Sequence, residues 1–595
     1  MCADRCQLIP MACADSSVPD VSSRLTRGGA LRIAPLIVAT VAFFAACEGE
    51  SNSAADLVLR NTLVYTVDSA NPRAQAIAVK DGRIVYVGDD AGVATFVGGS
   101  TEVLDLAGRM VLPGFNDTHV HPVTGGMELG ECNLNIAETL DDVRRIVSAC
   151  ATRGAPGEWV RGGGFPLPVF RGGAPTRQLL DSLVPDRPAF LSSADGHSGW
   201  ANTRALAIAT VTRDTKDPVN GRIEREPSGG PAGTLRETAQ DLVRQHMPTR
   251  SDADYLAGLE RGLAMAARFG ITSLQEASAS EAVVRAYAQA DSLGRLTARA
   301  LVNLHVDSDK GVEQVATLAA LRARYTRGMV RPIGAKIFMD GVIEGQTAAL
   351  LAPYTDRPGY LGELNVSQER MDALVHALDS AGFKVHVHAI GDRAIRTTLN
   401  AFEKQHALDG GAGPRHIMVH IQLFDPAEVP RFAALGVVAS FQPLWAYRDS
   451  YKRDLTEPRL GPTRSSHQYP IASMVKTGAL VAGGSDWSVS SMNPLDAIQM
   501  ALTHRALDDS TGPVWLPDER IDLATALRMY TMGGAVASEE DSLTGSITVG
   551  KAADLIVLSD DLFALPVHRV SKARVLLTML GGRAVFRDST MGRAP

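Results

Sequence analysis

No long run of like charge interrupts this chain, in which 59 Lys and Arg stand against 66 Asp and Glu for a net charge of −7. That excludes the concentrated basic face of a nucleic-acid-binding protein. The apolar stretch from Ile33 to Ala46 has only about 14 residues, short of the roughly 20 a membrane-spanning helix needs. Cysteine is scarce: Cys2, Cys6, Cys13 and Cys47 crowd into the first 47 residues and leave only Cys132 and Cys150 for the rest. No periodic internal repeat is present. With 45% hydrophobic and 21% charged residues, the composition is that of a folded globular protein, which excludes disorder, collagen and coiled coil.

The uneven cysteines mark a leader. Arg24, Arg27 and Arg32 precede the short apolar stretch, the order of an export signal. Residues 1–47 read as a signal peptide ending Phe44-Ala45-Ala46-Cys47, which resembles a bacterial lipobox with Cys47 as the lipidated first mature residue. An ordinary secretory signal cleaved after a small residue fits the same text. Either reading exports the protein to the periplasm, cell envelope or medium, and the only membrane association expected is a lipid anchor at Cys47. Residues 48–55 then form a polar tether. Export permits a bond between Cys132 and Cys150, but their spacing favours two buried free thiols no less, and free thiols are the expectation adopted.

Residues 56–111 show short β-like runs broken by turns, among them AIAVKDGRIVYVG with Asp81-Gly82 as a hairpin turn. Strand-like runs return in 541–595. Between them, residues 112–540 alternate helical and strand-like segments, the pattern of βα units on a parallel sheet. The economical α/β architecture is a (β/α)8 barrel flanked by one small β-sandwich built from both chain ends.

The chemistry-bearing residues fall at strand ends. VLPGFNDTHVHP ends an apolar strand in His119 and His121, whose i, i+2 spacing points both rings to one face where they can hold a metal ion. GAKIFMDG puts Lys336 inside an apolar strand; a lysine there serves as a base, pairs with a carboxylate, or takes up CO₂ to form a metal-bridging carbamate. KVHVHAIGD carries His386 and His388, RHIMVHIQL carries His416 and His420, and ALVAGGSDW ends in Asp486. His386 and His416 sit deeper in their strands, where packing or a hydrogen bond to a ligand suits them better than ligation. In parallel βα barrels the C-terminal strand ends carry the site.

Together LPGFNDTHVHP, SADGHSGWANTRAL, KIFMDGVIEGQTAALLAPY, VHAIGDRA, GSDWSVSSMNPLDAI and VGKAADLIVL resemble the amidohydrolase superfamily, specifically family 3, the branch with YtcJ-like proteins and N-substituted formamide deformylase. The resemblance runs from about Asp56 to Arg587. It implies a distorted TIM barrel and a metal-ligand set of His119, His121, Lys336 as a carboxylated bridge, His388, His420 and Asp486. It further implies one or two divalent ions, zinc by default with Mn, Fe or Ni admissible, and a homodimer as the family-level expectation. Asp486 is then the proton shuttle for a metal-activated water attacking a small-molecule amide-like substrate.

SADGHSGWANTRAL admits two compatible readings. In one, Asp195, His197 and Trp200 meet the substrate, with His197 on the carbonyl or oxyanion; in the other the segment is a strand-to-helix turn capped by Asn202. Glu237 and Glu344 read as pocket groups, and Gln442 and Trp445 as substrate contacts, with simple packing or solvation as the alternative. The expected activity is hydrolysis of a C–N bond other than a peptide bond, in an N-substituted formamide or N-acyl compound. An ester or lactone hydrolase, or an inactive surface-anchored binding protein, remain open.

Overall fold

The computed structural model describes residues 54–591. The leader, Cys47 and all but the last two residues of the tether lie outside the described residues.

Eight parallel strands form one sheet: β1 (Phe115–Val120), β2 (Ile271–Ala279), β3 (Arg299–His305), β4 (Val330–Phe338), β5 (Lys384–Ala389), β6 (Ile417–His420), β7 (Val438–Phe441) and β8 (Val481–Gly483). β1, β5, β6 and β7 are buried at every position, as strands covered on both faces must be. The ends of the sheet meet: Thr118 Oγ1 donates to Gly483 O at 2.9 Å, and Asp486 N–H to His119 O at 2.7 Å. The result is the distorted (β/α)8 barrel expected from the sequence. The helices conform to their text: Asp252–Arg268 starts with a Ser251/Asp254 capping box and buries Leu259, Leu263, Ala266 and Ala267, turning the chain into β2.

Both chain ends contribute to a sandwich beside the barrel. A six-stranded sheet pairs Leu555–Leu558 antiparallel with Met110–Pro113. A four-stranded sheet formed wholly by N-terminal residues lies across from it, and Leu59, Ile77, Val111, Leu555 and Leu577 share one apolar core.

A fourth sheet lies outside the expected barrel and sandwich. Six strands between Cys132 and Glu237, in an insertion between β1 and β2, have their own apolar core around Phe165, Leu191 and Trp200. Val160–Phe165 and Ala189–Ser193 pair in parallel around helix Arg177–Leu183, so their sequence has the same alternation as a barrel unit. This insertion also corrects the expectation for the cysteines. Cys132, on a strand of the sheet, and Cys150, on helix Leu140–Ala151, form a disulfide with Cα atoms 5.7 Å apart. Packing of the helix on the sheet brings them together, which the separation of 18 residues does not foretell. Closing a loop of that size restricts the unfolded chain by an amount on the order of 3 kcal/mol.

Candidate metal centre and its cavity

The register of the barrel brings the ligand-type residues to one end. Phe338 pairs with His388 and Ala389 with His420, so β4, β5 and β6 end in step. Ligand atoms of His119, His420 and Asp486 all lie within 4.8 Å of one another. His119 Nε2 is 3.4 Å from Lys336 Nζ and 3.4 Å from Asp486 Oδ1, and His121 Nε2 is 3.3 Å from that same oxygen. The His388 ring centroid is 4.6 Å from that of His420. All six residues expected as ligands therefore sit together.

The surrounding groups fix these rings. His386 Nε2 lies 2.7 Å from His119 Nδ1, leaving His119 Nε2 for the centre. Gln442 Oε1 is 2.8 Å from His420 Nδ1, and the Trp445 ring stacks on His420 at 5.5 Å and 10°. Asp117, buried, accepts from the backbone N–H groups of His119 and Ser485 and from Ser485 Oγ, lashing β1 to the end of β8. A Cβ on Gly484 would lie 2.8 Å from His119 N, so only glycine permits that approach. His420 and Asp486 hold left-handed backbone, φ 76° and 53°, a strained conformation of the kind that persists where surroundings over-determine it.

Burial pushes His119, His388 and His420 well below the usual imidazole range, with neighbouring cations adding to the effect. They are neutral, the form that ligates a metal. Burial opposes charge on His121 as well, but Asp486 and Glu276 outweigh it and raise the ring to about 9, so a cation held by His121 would have to displace that proton. Burial would also raise Asp486, yet His121 and His420 hold it lowered. Burial brings Lys336 down to about 7, against the pull of Asp486 and Glu276, so its neutral, nucleophilic amine is accessible. Neutral imidazoles converging with a buried carboxylate are a donor set that fits a divalent cation.

A cavity of about 650 Å³ opens beside His388, His420 and Asp486 and is lined by Asp195, His197, Glu344 and Trp445. Asp195 accepts from the His197 N–H at 3.0 Å and from the Ser193 hydroxyl, while its Oδ2 is buried with no partner. His197 Nδ1 is 2.7 Å from Glu237 Oε2, and Thr347 donates to Glu237 Oε1 at 2.7 Å. Burial would lower His197, but Glu237 prevails and raises it to about 9, making it a cation able to donate a hydrogen bond at neutral pH. Glu344 accepts from Gln422 and Thr456.

Two expected substrate contacts lie elsewhere. Trp200 is fully buried in the inserted sheet, packs on Phe165 and Phe170, and donates from Nε1 to Thr176 O at 2.8 Å; its place in a motif near the mouth did not disclose which face of the strand it occupies. Gln442 does not line the cavity and serves His420 instead. Asn202 caps helix Thr203–Ile208 through Ala205 N–H, so the capped-turn reading holds alongside the cavity positions of Asp195 and His197. His416 faces away, paired with Asp379 at 3.3 Å and stacked on Phe402.

Sequence reasoning passed over Glu276, whose Oε1 is 3.6 Å from His121 Nδ1. A lone carboxylate, itself buried, in the strand ITSLQEASA was the sign to follow. It also missed Asp340, which accepts from the N–H groups of Ala349, Ile390 and Gly391 and so ties the end of β4 to the end of β5.

Known proteins align with this framework. The chain is 31% identical over 543 residues to Protein LONG AFTER FAR-RED 3 of Arabidopsis thaliana, covering 89% of this chain and 92% of that protein. It is 28% identical over 553 residues to N-substituted formamide deformylase of Arthrobacter pascens, covering 89% and 97%. The crystal structure of an uncharacterized metal-dependent hydrolase from Pyrococcus furiosus superposes with TM-score 0.65 at 25% identity, over 85% of this chain and 99% of that one. The Amidohydro_3 model, described as the amidohydrolase family, matches residues 102–586. That match takes in the whole barrel and the part of the sandwich from residue 102 onward, and by it the chain belongs to the amidohydrolase family.

Proposed function

We propose that this protein hydrolyses the C–N bond of an amide-like small molecule, an N-substituted formamide or N-acyl compound, with His119, His121, Lys336, His388, His420 and Asp486 holding one or two divalent ions, zinc by default. Such an ion supplies a nucleophilic water at neutral pH and polarises the carbonyl. The carriers of the rest are side chains. Asp486, held ionised, takes the proton of the attacking water and passes it to the departing amine, a role worth roughly 10²–10⁴ in rate. His197, held protonated by Glu237, donates to the oxygen on which charge develops. Lys336, through its neutral amine, would add CO₂ at Nζ with loss of a proton, and the carbamate so formed would offer oxygen donors to the metal.

The observation that carries the reading is the single Asp486 oxygen within 3.4 Å of both His119 and His121, in a side chain that also lines the cavity. Binding alone does not require a carboxylate so placed. The similarity to N-substituted formamide deformylase favours amides over esters and lactones, which the same centre would also attack. A turnover screen with metal-reconstituted protein across N-formyl amines, N-acyl amino acids, cyclic amides and matched esters tests it. Amide turnover exceeding that of the matched esters is expected; esters alone being cleaved would replace the reading with the alternative, and no turnover would favour a binding protein. We further propose export and a lipid anchor at Cys47, checked by palmitate labelling of the native chain against Cys47→Ala, and a homodimer, checked by its mass in solution.

A further inference from the structure

A second cavity, of about 320 Å³, holds none of the metal-centre residues and shares with the metal cavity only Glu344. Five arginines line it: Arg222 and Arg236 on the inserted sheet, Arg459 on helix Glu457–Ser465, and the exposed Arg171 and Arg357. The two carboxylates in its wall are engaged. Glu224 Oε1 accepts from Arg222 at 2.9 Å and from Arg236 at 3.2 Å, while Glu344 accepts from Gln422 and Thr456. Arg459 is different, since it is only 9% exposed and its guanidinium makes no hydrogen bond. Its Nε and Nη1 are enclosed without a partner, and Nη2 is the edge left open to the cavity. The Asp356 carboxylate stays 3.9 Å from Nε. Burial pulls Arg459 below the usual guanidinium range in spite of Glu344 and Asp356. Arg357 lies 3.8 Å above the Tyr360 ring, and among the described residues no carboxylate comes within 4.0 Å of it or of Arg171. A buried cation without a paired anion is costly, so an anionic occupant relieves Arg459 directly.

We infer that Arg459, Arg357 and Arg171 bind a phosphate dianion, free or as a phosphomonoester, at a site separate from the metal cavity. Five guanidiniums against two carboxylates leave positive charge in excess, which a dianion offsets better than a carboxylate monoanion does. The guanidinium fork also matches phosphate oxygens with paired N–H donors. Part of the cradle is already fixed: Arg222 donates to Gly345 O, and Arg236 to Ser198 Oγ and Gly173 O. Binding therefore has mainly the exposed Arg171 and Arg357 to order. The anion would join the inserted sheet, the segment after β4 and helix Glu457–Ser465. Such a site needs no metal and stands apart from the hydrolase reading.

The test is calorimetric titration of zinc-reconstituted protein with inorganic phosphate, phenyl phosphate and acetate in a buffer free of other oxyanions. Native protein is compared with Arg459→Met, Arg459→Lys and Arg357→Gln, each first checked for folding by thermal denaturation. Phosphate should bind the native protein at least 10-fold more tightly than acetate. Arg459→Met should weaken it by about 10- to 100-fold, the share of a lost charge-assisted hydrogen bond, and Arg459→Lys by less. Phosphate should also raise the thermal midpoint of the native protein and not that of Arg459→Met. Arg357→Gln alters an exposed side chain and should weaken phosphate several-fold, which keeps the site testable if Arg459→Met does not fold. Phosphate held by the metal itself would be bound alike in every variant, so equal affinity across the set overturns the site, as does no binding by native protein. Acetate bound as tightly as phosphate overturns the dianion class. Phenyl phosphate matching inorganic phosphate upholds the site with a phosphomonoester as ligand, and weaker phenyl phosphate upholds it with free phosphate.

Discussion

His386 and His119 face each other ring to ring, Nε2 to Nδ1, at 2.7 Å. Both are buried, His386 to 0% exposure, and their strands lie on different sides of the barrel. The contact fixes the His119 ring with Nε2 toward the centre. Such supporting contacts typically carry a 10- to 100-fold share of metal affinity. His386→Phe should therefore retain the barrel but release metal to a chelator at roughly 10- to 100-fold lower chelator concentration, measured by metal analysis after dialysis. Unchanged retention would make His386 mere packing.

Asp486→Asn keeps the size of the side chain and removes the proton acceptor. Turnover should fall by about 10²–10⁴ while the thermal midpoint stays near that of the native protein. A mutant within a few-fold of native activity would remove Asp486 from the proposed proton path.

His197 is raised to about 9 by Glu237, and the sign of the pH effect follows. As a donor it works when protonated, so kcat/KM should decline as pH rises through about 9. Glu237→Gln removes the charge that holds the proton, and the alkaline limb should move to lower pH. The linked stability has the same direction: it is fully present below the ordinary histidine value near 6.5 and fades as pH climbs to about 9. A pH–rate profile identical in the variant would show that His197 does not donate in the rate-limiting step.

Lys336→Ala should lose most bound metal, and a short carboxylate added to the buffer should restore part of it, if the lysine bridges two ions as a carbamate. Metal analysis of the native protein should then approach two ions per chain. One ion per chain together with an unmodified Lys336 by mass spectrometry would refute the bridge and leave a mononuclear centre.

The Cys132–Cys150 bond should appear in non-reducing peptide mapping, and Cys132→Ser should lower the thermal midpoint of the insertion by the equivalent of about 3 kcal/mol. Recovery of two alkylated thiols from unreduced protein would contradict it.

Much of the centre was legible because strand geometry is strict. Alternation put His119 and His121 on one face, an apolar setting made Lys336 conspicuous, and Asp486 closed an apolar strand. What escaped depended on packing between distant segments. The inserted sheet has the βα alternation of the barrel, so local pattern could not separate them. Trp200 turned into the inserted core and Gln442 toward His420, choices made by neighbours far away in sequence. Glu276 lay within a run otherwise suited to burial, and its partner His121 is on another strand. The disulfide likewise needed the helix to be seated on its sheet.

The proposed hydrolysis requires metal held at His119, His121, Lys336, His388, His420 and Asp486. The most direct measurement is the turnover of one N-acyl substrate by native, chelator-stripped and zinc-restored protein, with metal content determined on the same samples. Activity should disappear with the metal and return in proportion to zinc bound; undiminished turnover by protein shown to be metal-free would contradict a metal-dependent hydrolase.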